Sequence, residues 1–436
     1  MKKIFFILTI LASIFAACNK SVVPVVKSQF QEQSSELIID WTNVQLRLIR
    51  NTTGVTHPAY SRHFSYTGIA IYESLVHGDN KKISIAPLLN GSVHLPAPPS
   101  ANHVYFPISA NAAFASMFRF FYSAKEANLQ IIDSIEQAYK TRYTNEIGSN
   151  FDVDRSIQYG KDIAAAVIEL SKQDGASNAS IPYTPLGVGY WEATPPAFGV
   201  PAVPGWGNNR TILPGSISNT TPAAPLAFSK DAGTPFYNMV KEVYDVSQSL
   251  TDEQKIIANF WDDLPNGKYI SAFGHWFNIL KQILQNENTS LMKGADAYLR
   301  LGITMNESTI SCWKSKYTFH QLRPITYIRK YMGNAGWNSF IGTPAHPEYL
   351  AAHATISSSA AYALESVFGK NYLFADHTYE SIGMPVRNYN SIEAAGLEAG
   401  MSRLYGGIHY RQSIDAGKIC GNKVGENVKT ILRTDK

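Results

Sequence analysis

The chain has 436 residues, 45% of them hydrophobic and 17% charged, the make-up of an ordinary globular protein with enough chain to bury a large core. That balance excludes a disordered chain and one built from membrane spans. The net charge of +4 falls to +2 once Lys2 and Lys3 are removed with the first seventeen residues, too little for a nucleic-acid footprint.

Met1-Lys2-Lys3 is a basic start, and the apolar stretch from Ile4 to Ala17 is too short to span a bilayer comfortably. It ends in Phe15-Ala16-Ala17-Cys18, which resembles a bacterial lipobox with Phe where Leu is usual. That resemblance implies cleavage before Cys18, lipidation of its thiol and a lipid anchor to the membrane of an exported protein. A plain secretory signal with an incidental cysteine is the alternative, and both place the folded part outside the cytoplasm. Residues 18–35 read as a tether.

From Leu37 onward apolar residues recur at three- and four-residue spacing, which predicts a helix, and residues 65–76 predict a second. A Pro-rich stretch at 86–107 interrupts. Helices are then predicted at 110–122, 127–142 and 154–173. Residues 176–230 are rich in Pro, Gly, Asn, Ser and Thr, an irregular segment long enough to be functional, and Trp191 and Trp206 argue for ordered packing within it. Helical character returns at 234–248, 252–261, 272–285, 291–316, 351–368 and 391–404. Sustained Val/Ile/Thr alternation is missing, so the fold class is all-α, a large helical bundle, read as a single domain over 36–436. Cys312 and Cys420 remain in the mature body, either as a disulfide or as two buried thiols.

Three short segments carry chemistry. In Lys316-Tyr-Thr-Phe-His-Gln-Leu-Arg323-Pro324, two cations seven residues apart would lie on one face of a helix that Pro324 ends or kinks, with Arg323 near its C-terminus. His346-Pro347-Glu348-Tyr349-Leu350-Ala351-Ala352-His353 leads into a small-residue helix whose free amides suit an anion. In Ser402-Arg403-Leu-Tyr-Gly406-Gly407-Ile408-His409, Arg403 and His409 flank a glycine pair that breaks a helix and lets the backbone approach a ligand. Taken singly, a solvated basic stripe and core histidines explain each segment better.

Together, Lys-x6-Arg-Pro, a His motif and Ser-Arg-x3-Gly-x-His resemble the three-part signature of the vanadium-dependent haloperoxidase and type 2 phosphatidic acid phosphatase superfamily. Trp313, the segment Gly189-Tyr190-Trp191, the segment Pro204-Gly205-Trp206, Gly274-His275-Trp276 and the stretch from Asn43 to Glu73 extend the resemblance over nearly the whole mature chain. It implies a helical haloperoxidase that binds vanadate, or phosphate in its place, and uses hydrogen peroxide and a halide. By that resemblance Lys316, Arg323 and Arg403, with the amides of Ala352 and Gly407, hold the oxyanion. His409 bonds vanadium, or acts as nucleophile if the centre is phosphorus, and His353 is the acid/base. Trp313 and His346 line the halide pocket, and His at 346 favours bromide or iodide. Asp263 orients an arginine of the site. A homodimer stays open.

The sequence departs from the pattern twice. Where the family has Pro-Ser-Gly-His, this chain has Leu350-Ala351-Ala352-His353, which removes a hydroxyl donor worth about 1.5–3 kcal/mol to a charged partner. Four residues after His409, where an Asp usually holds the imidazole, stands Ser413; Asp415 is the nearest acid. A phosphatase working through phospho-His needs that carboxylate more than a metal-bound His does. The alternatives to the haloperoxidase are therefore a phosphatase on the same scaffold and a catalytically degenerate oxyanion-binding lipoprotein.

Overall fold

The computed structural model describes residues 33–91, 93–99, 103–147, 151–263 and 269–436. The leader, Cys18 and all but the last three residues of the tether lie outside them.

Thirteen α-helices, five single-turn 3-10 helices and one short hairpin make up the regular structure among the described residues. The first five helices are α1 (Glu36–Asn51), α2 (His57–Leu75), α3 (Phe106–Tyr122), α4 (Glu126–Glu146) and α5 (Val153–Lys172). After the irregular stretch come α6 (Pro235–Gln248), α7 (Asp252–Phe260), α8 (Ala272–Glu287) and the long α9 (Leu291–Phe319). The last third holds α10 (Pro324–Tyr331), α11 (Ala352–Phe368), α12 (Ile392–Tyr405) and α13 (Arg411–Ile431). Between α11 and α12, β1 (Phe374–Asp376) pairs antiparallel with β2 (Arg387–Tyr389).

Starts are written in the sequence. Thr234, Ser271, Ser290 and Ser391 each accept a backbone N–H of the helix they precede, and Thr251 with Gln254 forms a full capping box. Central α9 is buried along most of its length and packs on α2 and α11. Gly302 on α9 permits this: a Cβ there would stand 2.9 Å from Ser65 Cα. Trp276 of α8 donates from Nε1 to Ser357 Oγ of α11 at 2.9 Å, and His275 beside it meets Asp376 of β1 at 2.8 Å.

The irregular stretch is packed, as its tryptophans predict. Trp191 and Trp206 are buried. Buried Glu307 of α9 accepts the backbone N–H groups of Ile212 and Leu213, and burial pushes its carboxyl up to about 8. Further along, Ala202 N–H donates to Ala345 O at 2.8 Å, which brings this segment against the chain that leads into α11. Cys312 and Cys420 are both free and buried, so the thiol alternative holds.

Candidate active site

Trp313 and Lys316 stand one turn apart at the end of α9, on one face. The Trp313 indole donates to Ala202 O at 3.2 Å. Lys316 is fully buried, and its Nζ spends all three donors on backbone carbonyls: Pro347 at 2.9 Å, Glu348 at 3.0 Å, and Leu350. Burial lowers its pKa to about 7, with Arg323 working in the same direction against Cys312 and Glu348. The expected oxyanion ligand thus clamps the strand-like approach to α11, a structural use of its charge.

The two cations do not share a helix. His320 adopts a left-handed conformation (φ 50°) and ends α9, while Arg323 is the residue before Pro324, extended at ψ 153°, and caps the start of α10. Proline is favoured in the first turn of a helix and disfavours helical backbone in the residue before it, so Pro324 starts a helix here instead of ending one. Arg323 is nonetheless buried in the site. Its Nε donates to His346 O at 2.9 Å, Nη1 to Ile408 O at 2.9 Å and to His409 Nε2 at 3.1 Å, and Nη2 to His346 Nδ1 at 3.0 Å.

Those contacts fix one tautomer. Arginine only donates, so Nε2 of His409 is an acceptor, whereas His346 Nδ1 faces both the Arg323 Nη2 donor and the Pro347 carbonyl at 3.2 Å. The proton of His409 then sits on Nδ1, which donates to Glu348 Oε1 at 2.7 Å. The same oxygen accepts the Tyr410 N–H at 3.0 Å. Glu348 is therefore the carboxylate behind His409, supplied by the second motif. Burial raises its pKa to about 7 against the pull of Arg323, Tyr410 N–H and Lys316. Ser413, in the first turn of α13, lies beside the same carboxylate and favours its charged form, short of hydrogen-bond geometry. Asp415 is exposed and lines a different groove, so it does not substitute for the missing Asp. Burial and the nearby cations hold the His409 imidazole well below its usual pKa, which keeps it neutral.

A cavity of about 310 Å³ opens above these groups. Arg403, His353, His409, His346, Trp313 and Ala352 line it, with Asp262, Asp263, His57, Ala202 and Phe273. Lys316 and Arg323 lie beneath its wall. Arg403, fully buried at the end of α12, donates from Nε to Ser402 Oγ at 2.9 Å and from Nη2 to Trp261 O. Ala352 opens α11, so its amide is among the first-turn donors that lack an acceptor within the helix. Gly407 behaves otherwise. Its φ of 75° does make the turn, but its N–H donates to Leu404 O at 2.9 Å and the residue stays off the cavity wall. Its amide is therefore already engaged within the turn.

His353, on the first turn of α11, keeps Nε2 buried with no hydrogen-bond partner among the described residues. Burial and Arg403 lower its pKa to about 3, against the attraction of Asp263. The Asp263 carboxylate makes its hydrogen bond to His57 Nδ1 at 3.0 Å, not to an arginine, and stands 3.9 Å from His353 Nε2. Arg403 acts on it through charge alone. His346 stacks obliquely on Trp313, ring centroids 5.1 Å apart.

This chain matches the family model described as the vanadium chloroperoxidase second helical-bundle domain over residues 296–434, which hold all three motifs. It is similar to a solved structure described as the first bacterial vanadium-dependent iodoperoxidase, with 28% identity, a TM-score of 0.84, and coverage of 92% of this chain and 97% of that one. The chain is vanadium-haloperoxidase-like. Two bacterial vanadium-dependent chloroperoxidases, a holo and an apo form, share the fold of this haloperoxidase-like protein at 16% and 15% identity, with TM-scores of 0.69 and 0.63. They cover 93% and 86% of it, and 98% and 95% of their own chains. A search of curated protein sequences gives no match.

Sequence reasoning missed two groups of the haloperoxidase-like site. Glu348 was passed over because the carboxylate was sought downstream of His409. His57 was missed because α2 was expected to begin eight residues later; Pro58 in its first turn was the available signal.

Proposed function

We propose that this protein is a vanadate-dependent haloperoxidase that oxidises iodide or bromide with hydrogen peroxide. The observation that carries the reading is the His409 arrangement: a neutral imidazole whose Nδ1–H is tied to Glu348 and whose Nε2 lone pair faces the Arg323 guanidinium. An oxyanion bonded to that nitrogen needs the lone pair for its central atom and would take the place of the Arg323 Nη1 contact that now fills it, with the buried guanidinium keeping positive charge close by. Arg403 and the Ala352 amide add positive potential on the cavity wall, and His353 Nε2 stands buried there with no hydrogen-bond partner among the described residues. The donor set therefore fits vanadate. Vanadate, when bound, supplies a Lewis acid that activates hydrogen peroxide toward a halide at constant oxidation state.

The chain's own residues then have separate tasks. His409 offers Nε2 as ligand, and Glu348 holds its ring and tautomer. Arg323 and Arg403 neutralise the anion. His353, kept neutral by burial, takes the proton that peroxide gives up. Trp313 and His346 form an aromatic wall on the cavity where a halide can lie. The likeness to the iodoperoxidase supports the iodide side of this reading.

A second reading, phosphate-ester hydrolysis through His409, gains from Glu348, which supplies the carboxylate that Ser413 does not. One comparison separates them. Protein loaded with vanadate should oxidise iodide or bromide with peroxide, and His409→Ala and Arg403→Ala should abolish this. Hydrolysis of an aryl phosphate without halide oxidation would favour the phosphatase. Neither activity, with no vanadate binding, would leave a degenerate oxyanion-binding protein.

We also infer that the protein works outside the cytoplasm on a lipid anchor at Cys18, on the resemblance of Phe15-Ala16-Ala17-Cys18 to a lipobox after a basic start and a short apolar stretch.

A further inference from the structure

His57 stands outside the three motifs, in the first turn of α2, yet it reaches the cavity wall. One carboxylate oxygen, Asp263 Oδ2, serves two imidazoles: it accepts from His57 Nδ1 at 3.0 Å and stands 3.9 Å from His353 Nε2. We propose that His57 sets the basicity of His353 by competing with it for Asp263, as a positioning residue for the proton-taking step. The role rests on the haloperoxidase reading, which makes His353 the base.

A single carboxylate charge compensates a single imidazolium. His57 holds the direct hydrogen bond, while His353 Nε2 has no partner among the described residues. His57 is also the more accessible of the two, its side chain 34% exposed against 10% for His353. Protons from the cavity therefore reach His57 first. The groups that face it are Asp263 and Asp262, with His353 and Arg403 across the carboxylate and the Tyr60 ring 6.4 Å away. Burial works against its proton, but the two aspartates outweigh burial and raise its pKa. Once charged, His57 neutralises Asp263 and joins Arg403 in opposing a second positive charge on His353. His353 then stays an unprotonated base in mildly acidic conditions. As pH rises through the pKa of His57, the competitor is lost and Asp263 becomes free to strengthen His353 as a base.

The test compares the wild type with His57→Gln and His57→Lys. Gln keeps a donor for Asp263 without a charge; Lys restores a permanent charge. In the vanadate-free protein, histidine NMR should show His353 titrating about one pH unit or more higher in H57Q, the size expected from losing a like charge across a shared partner. H57K should return it to the wild-type position. In vanadate-loaded protein, the acidic limb of kcat/KM for peroxide should move upward in H57Q and back in H57K. If H57Q does not fold, His57→Asn carries the same comparison. His353 titrating identically in the wild type and the neutral variants overturns the proposal. Absent halide oxidation by the loaded wild type counts against the haloperoxidase reading instead, because the NMR comparison does not depend on turnover.

Discussion

Glu348 carries more of the site than its place between two recognisable histidines suggests. Its side chain holds His409 Nδ1 and the Tyr410 amide, while its own carbonyl is one of the three that cage Lys316. A carboxylate behind a ligating imidazole orients the ring and raises its basicity, and removing such a group typically costs about 10–100-fold in metal affinity or activity. Glu348→Gln should fall in that range in a vanadate titration and in halide oxidation, whereas Asp415→Asn should match the wild type. Equal loss from both, or from neither, would refute the assignment. The identities of His353, His409, Arg403, Trp313 and His346 were legible because motif spacing fixes them locally. The partner of His409 was not, because it comes from 61 residues upstream and only the fold brings the two together.

At the scale of elements, the departures from expectation have local causes. Helix α13 was missed because Gly417, Gly421 and Gly425, along with polar residues, depress its propensity. Spaced four apart, those glycines form one stripe that lets α13 lie against α11: a Cβ at Gly421 would meet the Thr355 carbonyl at 2.2 Å. The close approach sets the start of α11, with Ala352 and His353, beside the turn that presents His409. Ala351 is the N-cap of α11, with extended backbone (φ −67°, ψ 112°) and no side-chain cap. Serine at that position can accept an N–H of the first turn, a contribution of about 0.5–2 kcal/mol. Ala351→Ser should therefore raise the unfolding free energy by that amount in urea denaturation and tighten vanadate binding in the same protein. A destabilised A351S variant would mean that the buried site cannot accept the hydroxyl, and that the loss of Ser here is fixed by packing.

The whole molecule buries ionisable groups of both signs, and their effects on stability run in opposite directions with pH. Burial, foremost, holds His63 and His353 at about 3 and keeps His346 and His409 well below 6.5. Such groups bind fewer protons folded than unfolded, so their contribution is present above 6.5 and is lost as pH falls toward their folded values. Burial also raises Glu73 and Glu348 to about 7 and Glu307 to about 8, from 4.5. These bind more protons folded, so between about 8 and 4.5 they gain stability as pH falls. From 6.5 to 4.5 the three glutamates offset three of the four histidines and leave about one uncompensated proton, about 1.4 kcal/mol per pH unit. Below 4.5 the unfolded glutamates are protonated too and their gain is complete, while each buried imidazole still costs about 1.4 kcal/mol per pH unit. Asp263 and Asp376, held below the usual carboxylate range by histidine partners that outweigh burial, lose their contribution in the same acidic window. The melting temperature should therefore fall gently from pH 6.5 to 4.5 and several times more steeply from 4.5 to 3. Calorimetry across that range at fixed ionic strength checks it, and an even decline from neutral pH would show that the buried glutamates are ionised in the folded protein.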